Sequence, residues 1–444
     1  MREATLFAAV GFLIGGLDDL LIDAVYFVRY GWRKLKRKGD PTLADLPPPR
    51  GRFAVFVPTW QESGVIAPML LTALDRFACS DVTIYVATYD NDADTVAAVE
   101  RVCDERIRLV VNPRPGPTTK ADNLNACWRA LIADEQASGR AFDAVVLHDA
   151  EDVVHAGELA VYSAWLTDFD AVQIPVAPLP DANSRYVGGT YIDEFAEAHG
   201  KFMVVRQALG AGLPFAGTGC AIRRTMLGRV ADARGGVPFD AESLTEDYEL
   251  GLTIAAMGGR SAFAWVTEAD RRTPVAVRAY FPGQLGAAIR QKARWMIGIA
   301  LAGWDRTGWG RAAALSEHWM RMRDRRAPLA VLVLFIGYAA FVLWAVSWVA
   351  HALTATPAME LGPILRVLLW VNGALLGWRL LVRAVFVAKA EGWRDGLRAV
   401  ARMVVGNVIG LLAVQRALVL YVAMLRGAPT RWDKTWHKFP ASSG

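Results

Sequence analysis

The sequence is poor in several features that would place it among secreted, zinc-stapled or nucleic-acid-binding proteins. Its four cysteines, Cys79, Cys103, Cys127 and Cys220, form no CxxC pair and no zinc-like spacing. They read as reduced cytosolic thiols. The order of a signal peptide, basic residues before an apolar run and small residues after it, is missing. Here the apolar stretch Thr5 to Val28 follows only Arg2 and runs into the basic cluster Arg29 to Lys38. Net charge is only +5, and no recognition motif accompanies the basic runs, which argues against nucleic acid as a partner. Charge is absent from the 22 residues Leu329 to Ala350, and Lys and Arg are absent from His351 to Gly362.

What the chain does carry points to a membrane. The hydrophobic share is 54% over 444 residues, with positive mean hydropathy, yet a long middle region reads as globular. The basic runs Arg29 to Lys38 and Arg321 to Arg326 each adjoin an apolar segment, as on the cytoplasmic side of a bilayer. Residues 1–28 read as an uncleaved anchor with its carboxyl end inside, although Asp18, Asp19 and Asp23 leave a shallow interfacial helix open. Residues 29–50 are a basic, proline-rich linker. Residues 328–388 hold two spans long enough to cross, with an outer loop at His351 to Gly362. Matching depths predict ion pairs of Asp18 or Asp19 with Arg379, and of Asp23 with Arg383, because unpaired charges there are expensive. Within residues 389–444, a crossing by Leu397 to Leu425 would leave Arg426, Arg431, Lys434 and Lys438 outside. The expectation is therefore a helix along the cytoplasmic face, and three crossings.

Residues 51–281 follow a βα rhythm. Strands are predicted at Phe53–Val57, Val82–Thr88, Ile107–Val111 and Ala144–Leu147, with helices at Val65–Phe77, Ala93–Val102 and Ala121–Ala137. Alternation at these lengths predicts an α/β domain with a doubly wound, mainly parallel sheet. The fourth strand runs into His148-Asp149-Ala150-Glu151-Asp152. Acids at a strand's carboxyl end suit a hard divalent cation and a phosphate-bearing ligand; an acidic first helical turn produces the same pattern. Thr245-Glu246-Asp247 opens a helix with Thr245 as N-cap. Residues 282–327 read as amphipathic interface helices carrying Gln291, Arg294 and Trp295.

Six elements in order resemble the processive family 2 glycosyltransferases, the membrane-embedded GT-A enzymes related to cellulose, chitin and hyaluronan synthases. They are Phe56-Val57-Pro58-Thr59-Trp60-Gln61-Glu62, Lys120-Ala121-Asp122-Asn123-Leu124-Asn125, His148 to Asp152, Gly217-Thr218-Gly219, Thr245-Glu246-Asp247 and Gln291-Lys292-Ala293-Arg294-Trp295. Within that family the likeness is nearest to a bacterial inner-membrane branch associated with phage adsorption, and it covers nearly the whole chain. The resemblance implies a GT-A fold, a nucleoside diphosphate sugar as donor, Mg2+ or Mn2+, and transfer with inversion. It assigns Pro58, Glu62, Lys120, Asn123, Asn125, Asp149, Gln291 and Arg294 to the donor. Asp247 becomes the general base, with Glu246 orienting the loop. Gly217, Thr218 and Trp295 fall to the acceptor. Asp149, Glu151 and Asp152 fall to the metal, with Glu151 and Asp152 competing for the second ligand position. His148 and Cys220 read as structural. Thr88-Tyr89-Asp90 departs from the family's uracil-binding Asp at the end of the second strand, which weakens the implied UDP specificity.

The expected protein is thus a multi-pass enzyme of the bacterial inner membrane, with its catalytic domain in the cytosol, extending an exported glycan. Single transfer to a lipid carrier, and a catalytically weak receptor or scaffold component, stay open beside it. Membrane lipid is an expected partner, as is an outer-membrane export protein or a second copy. The chain ends at Gly444, soon after Trp432-Asp433-Lys434-Thr435-Trp436. On the expectation that this leaves no room for a cyclic-dinucleotide-sensing domain, such regulation would need a partner.

Overall fold

The computed structural model describes residues 1–36, 39–310, 312–357, 360–428 and 437–440. Arg37 and Lys38 of the first basic run, Arg431, Lys434 and the stretch 432–436 lie outside the described residues.

A run such as Phe53-Ala54-Val55-Phe56-Val57 has no polar face, so both sides of its strand must be covered. That is what forms. The strand β1 (Arg52–Pro58) lies inside a seven-stranded sheet with β2 (Asp81–Tyr89), β3 (Ile107–Asn112), β4 (Ala144–Leu147), β5 (Ala171–Gln173), β7 (Cys220–Arg223) and β8 (Ser261–Phe263), in the order β3-β2-β1-β4-β7-β5-β8. The first four strands are mutually parallel and β7 runs antiparallel to both neighbours. Phe53, Val55 and Val57 enter one core, while Ala54 and Phe56 enter the other. A two-stranded sheet of β6 (Val176–Pro178) and β9 (Val277–Ala279) stands beside it. Every strand and helix predicted between residues 53 and 147 is present, with all ends within two residues; the largest difference is the Ala93–Glu100 helix, which stops two short of Val102. The carboxyl ends of β1 and β4 share one edge, where Phe56 is in register with Leu147.

Four helices are long and apolar enough to cross a membrane: Arg2–Leu35, Ala327–Thr354, Pro363–Glu391 and Trp393–Leu425. The first packs against the second and third through close backbone approach. A Cβ on Gly11 would lie 2.7 Å from Val333, and one on Gly337 would lie 2.8 Å from Phe12. Small residues at such contacts allow the dispersion packing that holds helices together in lipid.

The fourth helix is one unbroken rod of 33 residues, about 50 Å long at about 1.5 Å per residue. Near its start Arg402, fully buried, makes a bidentate pair with Asp193 at 2.6 and 3.0 Å. Further along, Ala413 and Ala417 pack on Ala293 and Ile297, and Tyr421 and Met424 pack in the cluster that contains Leu244. Both ends of this rod therefore rest on the sheet-bearing domain or the helices attached to it.

The acids of the first helix are paired, but partly with other arginines than the apolar pattern indicated. Asp19 meets Arg379 at 3.6 Å, as expected, and also Arg323 and Arg326 at 2.9 and 2.8 Å. Asp18 pairs with Arg323 and Arg326 and accepts from Trp319 at 2.6 Å. Asp23 does not meet Arg383. It accepts from Lys201 at 2.6 Å and Trp378 at 2.9 Å, while Arg383 reaches Glu197 at 2.9 Å. Depth matching saw only the two apolar segments. It could not know that the Gly189–Glu197 helix inserts a carboxylate between them. Glu197 thus gathers Arg379, Arg383 and Lys201 in a nearly water-free contact. Removing one partner from such a network is strongly destabilising, by about 3–5 kcal/mol. Glu197→Gln should lower the thermal unfolding temperature of detergent-purified protein accordingly; an unchanged transition would show that the network carries no stability.

Candidate active site

Thr119 caps the Lys120–Ser138 helix by accepting from the Asp122 amide at 3.2 Å. The cap places Lys120 at the first turn, leaning over the ends of β1 and β4. Its ammonium lies 2.5 Å from Asp149 and 3.7 Å from Glu246, and donates to the Gly217 carbonyl at 3.3 Å. Asp247 faces the same point: a Cβ added to Gly217 would stand 2.5 Å from the Asp247 carboxylate and 3.2 Å from Lys120 Nζ. Gly217 adopts a positive φ of 79°, so a side chain there is excluded twice, by backbone and by space.

One ammonium thus serves three carboxylates. Burial opposes its charge, but Asp149, Glu246 and Asp247 outweigh that and push the Lys120 pKa up. Burial, and then the Glu246 charge, drive the Asp247 carboxyl up to about 7, against the pull of Lys120. Beneath them His148, wholly buried, lies 3.1 Å from Asp152 and 2.7 Å from Glu158. Burial disfavours its charged form, yet these two acids raise it to about 10, so it stands as an imidazolium supporting the strand end.

The pocket over this edge is lined by Lys120, Asp149, Glu151, Thr245, Glu246 and Asp247 and by Gln291, Arg294 and Trp295 from the later helix. Arg294 makes no hydrogen bond or ion pair among the described residues, and its Nε and the Gln291 Oε1 are buried without partners. Buried polar atoms left this way demand an explanation, and a ligand is the simplest. Trp295 belongs to an aromatic wall with Tyr191 and Phe195, at ring separations of 6.0 and 6.5 Å. Directly after it the helix loosens into a π turn, Met296–Leu301, whose Gly298 lies against Thr245 so closely that a Cβ would be 2.4 Å from Oγ1. Sequence periodicity did not indicate this π turn, which locks the third side of the pocket onto the helix of Asp247.

Several expected contacts are corrected. Asn123 is fully buried and donates to the Thr59 and Ala87 carbonyls at 3.0 and 2.9 Å, tying the ends of β1 and β2. Asn125 exchanges two hydrogen bonds with the Phe239 backbone, at 2.8 and 3.1 Å. Neither amide is available to a donor. Pro58 is buried in register with Ala87 and is not among the residues lining the pocket over the sheet edge. Asp152 points down: its Oδ2 accepts from the Asp149 amide at 2.7 Å and from His148 and Thr218. That Oδ2 is thus spent on the loop, as is the Thr218 hydroxyl, although both residues still line the pocket. Gly217 likewise serves through its carbonyl and its missing side chain.

One residue escaped sequence reasoning altogether. His437, in the tail, enters the pocket with Nδ1 2.9 Å from Glu62 and 3.2 Å from Glu151. A single histidine after the last apolar segment offers no spacing from which a partner could be inferred.

Residues 48–298 match the family described as "Glycosyltransferase like family 2". Bacteriophage adsorption protein B of Escherichia coli (strain K12) and bacteriophage N4 adsorption protein B of Escherichia coli O157:H7 are each 36% identical to the chain over 470 aligned positions, covering 98% of it and 62% of them. The chain therefore spans less than two thirds of the length of these relatives. A mannosyltransferase from Pyrobaculum calidifontis, solved with GDP-Man and Mn2+, is 19% identical with a TM-score of 0.45, over 87% of this chain and 98% of that one. That likeness is too distant to carry a statement about donor or metal.

The crowded carboxylates have a consequence for stability. A folded-state pKa raised from 3.8 to about 7 means that the native protein holds the Asp247 proton more tightly than the unfolded chain does. Stability contributed by the protonated form is present at low pH and lost as pH rises through about 7. Asp247→Asn removes that loss. Melting curves should show the variant more stable than the parent at pH 8, by roughly 1–3 kcal/mol, with the gap closing towards pH 4. A variant less stable at both pH values would contradict the charge arrangement.

Proposed function

The chain belongs to the family 2 glycosyltransferases and has their GT-A fold, and from that premise we propose that it is a membrane-embedded inverting transferase which extends a glycan from a nucleoside diphosphate sugar. The observation that carries this reading is the unpaired guanidinium of Arg294 in the same pocket as the Lys120 cluster. Two cations lining one pocket at a strand edge suit a diphosphate better than any neutral ligand. Lys120 already sits at a helix amino terminus, where the dipole adds to its attraction for phosphate.

The residues divide the work by position. Arg294, planar and always charged, is suited to hold the diphosphate bidentately and to stabilise it as it departs. Lys120 balances the charge that Asp149 and Glu246 bring to the donor. Asp247, with its proton affinity raised into the neutral range, is matched to taking a proton from an acceptor hydroxyl. Its carboxylate lies against Gly217, which keeps the approach from above open. Trp295, with Phe195 and Tyr191 behind it, offers the flat apolar face on which a sugar ring can stack. Glu151 lies at the same strand edge, paired with His437 at 3.2 Å, while Asp149 is engaged by Lys120 and the Asp152 Oδ2 accepts from the Asp149 amide. A divalent cation, Mg2+ or Mn2+, held by Glu151 would neutralise charge on the leaving diphosphate. The donor is UDP-linked by family resemblance alone.

The helices support a cytosolic catalytic domain in a bacterial inner membrane with three crossings. Trp393–Leu425 qualifies by length, but its start is tied to Asp193, its end to the cluster around Leu244, and His437 beyond it lies in the active site. A rod with both ends on the catalytic domain lies along the membrane face. Reporters fused after Gly444 would test this: a fluorescent protein should glow and alkaline phosphatase should stay silent, whereas a fourth crossing would reverse both.

For the chemistry, purified protein screened against nucleotide sugars with Mn2+ or Mg2+ should release a nucleoside diphosphate, and product length would separate polymerisation from single transfer. Asp247→Asn should cut transfer by about 10^2–10^4-fold while donor binding persists. The base must be ionised, so the wild-type rate should climb as pH rises through about 7. A variant with undiminished turnover would remove Asp247 from the role.

A further inference from the structure

A second cavity, of about 530 Å3, shares no lining residue with the pocket over the sheet edge. It lies where Pro363–Glu391 turns into Trp393–Leu425, and loop residues between Pro180 and Arg185 line it as well. Its volume is that of a small-ligand site. Four arginines and three acids supply its charge. Arg394, Arg398 and Arg402 recur every fourth residue and so share one face of their helix. Asp395 serves the last two, at 3.2 and 3.3 Å, and Asp193 holds Arg402 at 2.6 Å. Glu391 meets Arg278 at 3.4 Å, and Asp181 accepts from the Asn183 amide at 2.8 Å. Two cations remain. The side chains of Arg185 and Arg394 make no hydrogen bond or ion pair among the described residues; Arg394 only stacks on Trp393, 5.4 Å from the ring centroid. Beside this row Trp393, Leu397, Val400, Val404 and Val408 are exposed and recur at helical spacing, which is the pattern of an apolar stripe. A cationic cavity bordered by such a stripe asks for an amphiphile.

We propose that this cavity binds the phosphate-bearing headgroup of a membrane phospholipid, with Arg185 and Arg394 on the phosphate and the acyl chains along the Trp393–Val408 stripe. This lipid site lies apart from the transfer chemistry and takes from the transferase reading only the placement of these helices at the membrane. Guanidinium groups pair with phosphate oxygens through charge-assisted hydrogen bonds. Basic pockets where helices meet the cytoplasmic face of a bilayer suit such headgroups. The start of the Trp393–Leu425 helix has no side-chain cap, so its positive end adds to the attraction. Asp181, an acceptor beside the arginines, suits a hydroxyl or ammonium carried beyond the phosphate. The Gly189–Glu197 helix gives Gly189 and Ile192 to this cavity and Phe195 to the catalytic pocket. A bound lipid would therefore brace a helix that both sites share.

The test needs no turnover, so it stands or falls apart from the transferase reading. Phosphatidylglycerol, diacylglycerol and glycerol phosphate are titrated separately into full-length protein in a neutral detergent, and native mass spectrometry counts the molecules bound. Phosphatidylglycerol should bind at least about tenfold more tightly than diacylglycerol, which lacks the phosphate, or glycerol phosphate, which lacks the chains. Arg185→Gln with Arg394→Gln should weaken phosphatidylglycerol binding at least about tenfold, whereas Arg394→Lys alone should keep most of it. Arg366→Gln, at the other end of the Pro363–Glu391 helix, should bind as wild type does. Neither substituted arginine holds another residue, so the double variant should melt with the parent in lipid-free detergent. Undiminished binding by the double variant, or diacylglycerol bound as tightly as phosphatidylglycerol, would overturn the site. Glycerol phosphate bound as tightly as the lipid would overturn the lipid assignment in favour of a soluble phosphate.

Discussion

Lys120 sits at the amino end of a helix with Asp149 2.5 Å away and Glu246 and Asp247 crowding behind it. The rest of the catalytic domain makes sense as the apparatus that makes this imbalance tolerable. Carboxylates repel at such range unless a cation and oriented dipoles hold them. The helix terminus and its Thr119 cap provide the dipole, the Gly217 carbonyl fixes the ammonium, and the glycine's bare backbone admits the Asp247 carboxylate. Below, Asp152, His148 and Glu158 form a second, buried layer that sets the strand end and keeps Asp149 aimed upward. The excess negative charge that remains is a reason for the site to welcome cations.

A similar logic of shared ions joins the membrane part to the catalytic part. Glu197 binds two arginines of a membrane helix and a lysine of its own helix run, and that lysine also holds Asp23 of the first helix. In a low-dielectric contact each charge forbids the loss of its partner. The network fixes register between helices whose apolar surfaces alone would slide.

Local physics carried much of this from the sequence. The strands were legible because a sheet covered on both faces needs continuous β-favouring runs, and Phe53 to Val57 and Ala144 to Leu147 supply them. Lys120, Asp149, Glu151, Asp247, Gln291, Arg294 and Trp295 were legible as an ordered series of motifs, and the fold brings all seven to one pocket. Orientation was not legible. Asn123, Asn125, Asp152 and Thr218 share those motifs, yet their polar groups turn inward to backbone and loop partners, because a motif's spacing names neighbours without saying which face is wet. Asp23 was correctly seen to need a partner, but the partner came from the catalytic domain. His437 had no local signal at all; only the closed tertiary structure brings it beside residues hundreds of positions earlier.

The two halves of the pocket also have different mechanical support. Its donor edge hangs from the sheet, whose central strands β1 and β4 are buried on both faces and whose end groups are pinned by hydrogen bonds. Its other residues rest on the Arg294 helix, on the π turn whose Gly298 bears on Thr245, and on the Trp393–Leu425 helix that packs on both. Thr245 is where the halves meet, one residue from Glu246 and two from Asp247. Any shift of these helices is therefore transmitted to the acids at the start of the Glu246–Ala256 helix through a contact with no slack, since even a methyl group on Gly298 would collide.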